Sequence, residues 1–410
     1  MNIAFVVGQF PALSETFILD QITALIDRGH TVRIFAERRG TDGRVHPAVE
    51  AYGLMALTRY EQLPASIWRR LFALPQMWRG KRAPWSAFDV RRHGRDAASL
   101  RLLWAALWIG DDATFDVIQC HFGALGRRAV QLRAIGALRG PIVTALHGED
   151  IMTYPSRFAA THYDSLFGDG DLFLPVSARW HDTLTVLGCP MDRVRVHRMG
   201  VDLDTFQPRR GPDENGRPLR LLVVARLVEK KGIDDAIRAV ARLPGAYEFV
   251  IAGDGPLRSA LEALAAELSP KGQITFVGSQ QRSEVLRLMQ SSDIFVSPSR
   301  TAADGDIEGI PVAMMEAMAS ALPVVSTRHS GIPELVEHGV SGWLVKEGDV
   351  VALADRIAML AADSGLRVKM GEAGRRIVAG GWDLHVLTAQ LEAHYRDLRI
   401  SAPTNAWLLP

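Results

Sequence analysis

Glu308 and Glu316 stand eight positions apart in the run Glu308-Gly-Ile-Pro-Val-Ala-Met-Met-Glu316. Pro311 follows the first carboxylate closely. Proline suits the first helical position, because its fixed φ fits the helix and its missing N–H would be orphaned there anyway. The spacing therefore predicts Glu308 in the loop entering a helix and Glu316 about a turn and a half inside it. Carboxylates held at two depths beside one helix N-terminus can accept hydrogen bonds from two separate sets of hydroxyls. A sugar and a ribose joined by a diphosphate present that arrangement. A dipole-favoured acid followed by an ordinary helical Glu gives the same spacing, so the neighbours must decide.

Arg226 and Lys231 supply the complementary charge. They follow the apolar run Leu221–Ala225, and Gly232 then leads into a helical pattern. A guanidinium and an ammonium at a strand end, beside a helix N-terminus, suit an anion. A departing nucleoside diphosphate gains charge as its glycosidic bond breaks and needs such partners. His329-Ser-Gly-Ile-Pro-Glu334 repeats the proline device, and N–H groups around Gly331 and Ile332 offer a phosphate contact. Gly253-Asp-Gly-Pro256 reads as a tight turn bordering the same region, and backbone at Val277 is placed to read a base edge. Earlier in the chain, His147-Gly-Glu-Asp150 follows the apolar run Ile142–Leu146, putting a histidine at a strand end. Ser14 fits an N-cap. The loop from Gly8 to Leu13, with Ser14 and Thr16 after it, is a candidate acceptor or phosphate contact. Each of these, taken singly, also fits plain turn, cap or solvated-loop chemistry.

The elements that must position them repeat twice. A chain of 410 residues exceeds one core. Ile3–Val7, an amphipathic segment and Thr31–Ala36 open a βαβ series, which implies a parallel sheet. Asp116–Cys120, Ile142–Leu146, Leu172–Val176 and Val194–His197 read as its later strands. Residues 207–218, rich in Gly, Pro and charge, read as a linker. A second series of alternating strands and helices then runs from Leu221 to Ser326. The organisation is thus an α/β domain over 1–206, a linker over 207–218, a second α/β domain over 219–383, and a helix with a tail over 384–410. Two such domains in series place a cleft between them, and ligands of open sheets bind beyond the carboxyl ends of the strands.

Bulk composition excludes several classes. The net charge of +1 calls for neither nucleic acid nor an acidic partner. Residues 1–200 carry 24 basic and 19 acidic side chains, leaving 23 and 27 in the remainder. Cys120 and Cys189 have no metal-like spacing and form no disulfide framework, which fits a reducing cytosol. The opening residues read as a strand rather than a signal peptide. No apolar run approaches the roughly 20 residues of a membrane span. One segment is unusual. Trp68 to Trp108 holds five of the nine tryptophans and nine Lys/Arg against two Asp. It fits an anionic membrane interface. It equally fits a helical insertion with core tryptophans and solvated arginines.

The combined pattern resembles the retaining glycosyltransferases of family 4, of GT-B fold. The carriers are Arg226…Lys231-Gly232, Pro298-Ser299, Asp304-Gly-Asp-Ile-Glu308 through Glu316, and Ser330-Gly-Ile-Pro-Glu334, with Gly200-Val-Asp202 upstream. Phe10-Pro-Ala-Leu-Ser-Glu-Thr-Phe17 is most similar to the colanic-acid and exopolysaccharide branch. The resemblance implies two Rossmann-like domains facing across a cleft, and hexosyl transfer from a nucleotide diphosphate sugar to a saccharide acceptor; that the acceptor is lipid-linked at the inner membrane face is the expectation carried by Trp68–Trp108. It implies that Glu308 accepts from donor-sugar hydroxyls, Glu316 from the ribose, and that Arg226 and Lys231 hold the diphosphate. Backbone near Gly331 would support sugar or phosphate, and His147 would contact the sugar. The final helix would brace the first domain. No metal or other cofactor is implied. One departure stands out: Gly8-Gln9 replaces the Gly-Gly pair of many relatives, which leaves Ser14 or Thr16 to take over that contact. Two alternatives remain at this level, a nucleotide-sugar 2-epimerase of the same fold and a non-catalytic nucleotide-sugar-binding protein.

Overall fold

A computed structural model describes the chain except residues 13–14, 41–44, 62, 79–84, 111–112, 149, 152–159, 209–216, 270–272 and 402–410. Most of the expected linker and tail therefore lie outside the described residues. The chain forms two compact units. The first comprises residues 1–175, 180–197 and 388–410, and the second 176–179 and 198–387. The units part at 198 and 388 rather than at 207 and 384. Backbone bonds from Val201 N–H to Trp382 O and from Leu384 N–H to Val201 O tie 198–206 into the second unit. A bond from the Arg375 guanidinium to Phe206 O, 2.7 Å, adds to them.

The first unit holds six parallel strands: β1 (Asn2–Phe10), β2 (Thr31–Arg39), β3 (Thr58–Tyr60), β4 (Val117–His121), β5 (Ile142–Leu146) and β6 (Leu172–Pro175). Their order is β3-β2-β1-β4-β5-β6. β4, β5 and β6 are buried along their whole length and β1 along most of it, as a sheet covered by helices on both sides requires, while β2 and β3 towards the edge keep exposed positions. Phe5, Ile22, Ile34, Val117 and Val143 form the core, joined by Leu391 and Tyr395 from the helix Leu384–Ser401. Glu392 of that helix accepts from Arg28 at 2.7 Å and pairs with His30 at 2.6 Å.

Two readings of this unit need correction. β1 runs through Gly8 to Phe10, so Gly8 lies in a strand and not in a loop. The reason is non-local: β2 extends to Arg39 and pairs with β1 as far as Phe10. Val194–His197 is not a strand of the ladder. It sends N–H groups of Arg195 and His197 to Phe173 and Pro175 carbonyls, and only Val194 forms a bridge.

The second unit repeats the topology with β7 (Leu219–Val224), β8 (Tyr247–Ala252), β9 (Ile274–Gly278), β10 (Ile294–Ser297), β11 (Val324–Thr327) and β12 (Gly342–Val345). The order is β12-β11-β10-β7-β8-β9, again all parallel. In each sheet the chain starts centrally, winds one way, then returns and winds the other way. The switch points lie between β1 and β4 and between β7 and β10, where such sheets open a crevice at the strand ends.

Candidate functional site

The switch point of the second unit collects the charged residues. Beyond β7 the chain passes Arg226 and enters a single turn, Glu229–Lys231. Gly232 follows at φ 60, and a Cβ on it would stand 2.0 Å from the Pro298 carbonyl oxygen. Only glycine lets the basic turn lie against the end of β10. Gly253 has a similar task at φ 145, where a Cβ would meet the Ala225 oxygen at 1.8 Å. It brings the turn after β8 against the Arg226 loop and serves packing.

Glu308 lies in the loop before the helix Val312–Ala319, and Glu316 is buried on that helix. Pro311 takes the N-cap, φ −63 and ψ 124, one position earlier than the first helical turn. The Glu308 carboxylate is held on both oxygens. Lys231 Nζ donates to Oε1, and Ser299 Oγ donates to Oε2 at 2.9 Å. Burial opposes its ionisation. The charge and hydrogen bond of Lys231, with Lys230 and Ser299, outweigh burial and hold Glu308 below the usual carboxylate range. Lys230 pairs instead with Asp306 at 2.9 Å. Arg226 is exposed and has no side-chain partner among the described residues.

The turn after β11 approaches from the other side. His329 is fully buried, and its Nε2 accepts from the Glu308 backbone N–H at 3.1 Å. Its Nδ1 lies 2.7 Å from Glu347 Oε1. Ser330 follows at φ 47 with its hydroxyl buried and unpartnered. Gly331 is the N-cap of the short helix Ile332–Leu335. The N–H of Ile332 is not available to a phosphate, because the tight turn spends it on the His329 carbonyl at 3.0 Å. Glu334 accepts from the Ser177 hydroxyl and from Ala178 N–H at 3.2 Å and Arg179 N–H at 3.1 Å. Val277 O already accepts from the Gln280 amide.

In the first unit, His121 ends β4 at the switch point and His147 directly follows β5 one strand further on. Their rings meet, His121 Nδ1 to His147 Nε2, at 3.0 Å. His121 Nε2 donates to Gln21 Oε1, also at 3.0 Å. That leaves His121 Nδ1 as an acceptor for His147 Nε2–H, and the Nδ1 lone pair of His147 for a hydroxyl donor. Phe17 and Phe122 flank His147 at 4.8 and 4.7 Å. Burial pulls His147 down to about 3 and His121 well below its usual value, so both rings are neutral at physiological pH. Asp150 fixes the backbone beneath, accepting from the N–H groups of His147 and Gly148 at 2.9 Å and Gly123 at 3.0 Å. Thr16 opens the first helix behind Glu15, which makes no side-chain cap, while Ser14 lies outside the described residues.

Sequence reasoning assigned no role to Gln21, His121, Asp150, Ser299, His329 or Glu347. His121 and His329 share with His147 the signal that singled it out, a histidine at or just beyond a strand end and before a turn. Among the described residues one group has metal-ligand proximity, Asp202, Asp204 and His385. Asp202 is occupied by its own turn, accepting from Asp204 and Thr205, and the other two are exposed. No described helix is long and apolar enough to cross a membrane.

Known proteins are similar to this chain in sequence and in fold. Residues 14–205 match the family described as Glycosyltransferase Family 4, and residues 205–377 match Glycosyl transferases group 1. The putative colanic acid biosynthesis glycosyltransferase WcaL of Salmonella typhimurium is 43% identical over 371 residues, covering 87% of this chain and 90% of its own. The amylovoran biosynthesis glycosyltransferase AmsK of Erwinia amylovora is 39% identical over 95% of this chain and 98% of its own. The crystal structure of Anabaena Alr3699/HepE with UDP superposes with a TM-score of 0.71 at 19% identity, covering 97% of this chain and all of that one. That likeness establishes the two-domain α/β fold called GT-B.

Proposed function

The chain belongs to the family 4 glycosyltransferases, and from that premise we propose that it moves a hexosyl group from a nucleotide diphosphate sugar to a lipid-linked saccharide, with retention at the anomeric carbon. The observation that carries this reading is the Lys231–Glu308 pair at the β7/β10 switch point. An ammonium has three donors. One serves Glu308, and two remain for diphosphate oxygens beside the uncommitted guanidinium of Arg226. Glu308 has lone pairs left to orient sugar hydroxyls, while Glu316 serves the ribose. In the first unit, His147 accepts from a sugar hydroxyl.

Both Glu308 oxygens are engaged. This supports a positioning carboxylate rather than an attacking one. The acceptor oxygen then enters on the face from which the diphosphate leaves, and the leaving oxygen takes the acceptor's proton. Arg226 and Lys231 stabilise the charge that develops there. No step in this scheme requires a metal ion, so EDTA should leave the rate unchanged.

A thermal-shift panel of nucleotide sugars identifies the donor, because a ligand bound only by the folded chain raises its melting temperature. Transfer of labelled sugar to a lipid extract is then the expected result. Alteration of the sugar without acceptor would indicate the epimerase instead, a reading these relatives do not support. Saturable binding with no transfer would indicate a binding protein. Because Arg226 is exposed, Arg226→Ala should lower turnover by about 10²-fold at an unchanged melting temperature.

A place at the inner membrane face is part of the same proposal. The tryptophan-rich segment divides. Trp104 is core and donates to Glu61 O, and Arg70 is buried among carbonyls. Trp68, Phe72 and Trp85 are 67%, 80% and 76% exposed, with Ile67 and Leu71 beside the first two and Arg91, Arg92 and Arg95 exposed nearby in sequence. Exposed aromatic rings with arginines suit anionic headgroups. Sedimentation with anionic vesicles tests it, and binding that survives neutralisation of Arg91, Arg92 and Arg95 would remove it.

A further inference from the structure

The segment Thr301 to Glu308 carries the donor-site carboxylate, and one pair, a buried His329 and a partly exposed Glu347, ties both of its ends. Glu347 Oε2 accepts from Thr301 N–H at 2.8 Å, and His329 Nε2 accepts from Glu308 N–H at 3.1 Å. His329 Nδ1 and Glu347 Oε1 close the connection at 2.7 Å. The proton positions follow from chemistry. A backbone amide can only donate, so Nε2 must carry its lone pair. The single ring proton is then on Nδ1, donating to the carboxylate. His329 is 1% exposed. Neither of its nitrogens is left for substrate.

We propose that His329 and Glu347 are positioning residues of the donor site, a neutral imidazole in the Nδ1–H form acting as a strut that sets the Glu308 backbone and, through it, the Lys231–Glu308 pair. This rests on the reading that the pair holds the donor. The strut works at one remove. It fixes where the Glu308 main chain stands, while the carboxylate meets the ligand. The Asp306–Lys230 and Ala303–Glu229 contacts hold the middle of the segment and do not reach its Glu308 end.

Three variants separate the two halves of the strut. His329→Gln offers an amide oxygen near the place of Nε2 and can still accept from Glu308 N–H. His329→Asn offers an amide nitrogen near the place of Nδ1 and can still reach Glu347, but leaves Glu308 N–H unanswered. His329→Phe does neither. The expected result is a rise in donor KM of about tenfold for Asn and Phe, the worth of one buried hydrogen bond. The Gln variant should stay within about threefold, with acceptor KM and melting temperature little changed. Wild-type donor KM in the Asn and Phe variants overturns the proposal. So does an equal loss in all three accompanied by a lower melting temperature and a higher acceptor KM, which would mark a merely structural residue. Nitrogen-15 NMR of histidine-labelled wild type, with His329 assigned by its absence from the Gln variant, should show the Nδ1–H tautomer at neutral pH. An Nε2–H or doubly protonated ring also overturns it. That spectrum needs no ligand. If the wild type binds no nucleotide sugar, the donor-site reading fails while the tautomer still reports on the strut.

Discussion

Replacing Lys231 by Met removes the charge from one side of a nearly dry ion pair. Glu308 is 12% exposed and Lys231 14%. Truncating one partner of a buried pair costs roughly 3–5 kcal/mol, because the other charge is left without compensation. Here Ser299 Oγ still donates and Lys230 still contributes charge, so the loss falls below that range, at about 2–3 kcal/mol. A unit of this size shifts by roughly 2–4 °C per kcal/mol, which places the fall in melting temperature at roughly 5–10 °C at neutral pH. The pH dependence gives a second reading. In the wild type the carboxylate is held below its usual range, so its contribution is complete above that range and disappears as the pH falls through the lowered value. In the variant burial outweighs what Ser299 and Lys230 still supply, and the ionised form becomes a liability that grows as the pH rises. The gap between the two proteins must therefore be widest at neutral pH and close in acid. The double variant Lys231→Met with Glu308→Gln removes both charges and should regain most of the loss while binding no donor. Scanning calorimetry across pH measures all of this. A single variant within 1 °C of the wild type, or a gap that does not narrow in acid, would refute the claim that this pair is dry and coupled.

Other consequences are open to direct measurement. Glu392 is 3% exposed and lies at about 2, chiefly through its hydrogen bond to Arg28 and despite burial, with His30 adding to it. Its stabilisation is complete above the usual carboxylate range and lost as the pH falls towards 2; allowing for water around Arg28, Glu392→Ala should cost about 2–3 kcal/mol at pH 7, read by denaturant titration. Asp150 is pushed up to about 6 by burial, which outweighs its backbone N–H donors, so wild-type stability should decline as the pH rises through that value. Asp150→Asn should lack this decline, and parallel pH profiles would contradict the assignment. Ser330→Gly relieves a left-handed backbone and removes a buried unpartnered hydroxyl; a gain of about 0.5–1 kcal/mol is expected, and a lower melting temperature would count against it.

What the sequence revealed was local, and what it hid depended on partners distant along the chain. Glu308 ahead of a helix and Glu316 within it could be read from one proline and a spacing, and the two βαβ series from alternating apolar runs. Gly8 was misplaced because a strand ends where its neighbour stops pairing, and that neighbour is at Arg39. Ile332 offered a free N–H on paper, but a tight turn at Ser330 had already used it. The network around Glu308 joins residues from 231, 299, 308, 329 and 347, with no periodicity to announce it. Composition could not divide the tryptophan segment either. Trp104 and Trp68 look alike in the sequence, and only packing makes one core and leaves the other in water.

The helix Leu384–Ser401 carries a consequence for how the protein is made. Tyr395 lies in the core of the first unit, its hydroxyl 2.8 Å from Gln119 Oε1, and Leu391 packs beside it. A ribosome delivers all six strands of that sheet, and then the whole of the second, before either residue leaves the exit tunnel. The nascent first lobe must wait with an open apolar seam until the second sheet has been made as well. It is therefore the earlier lobe to emerge and the later one to close, and a gene fragment ending at 197 would leave that seam bare.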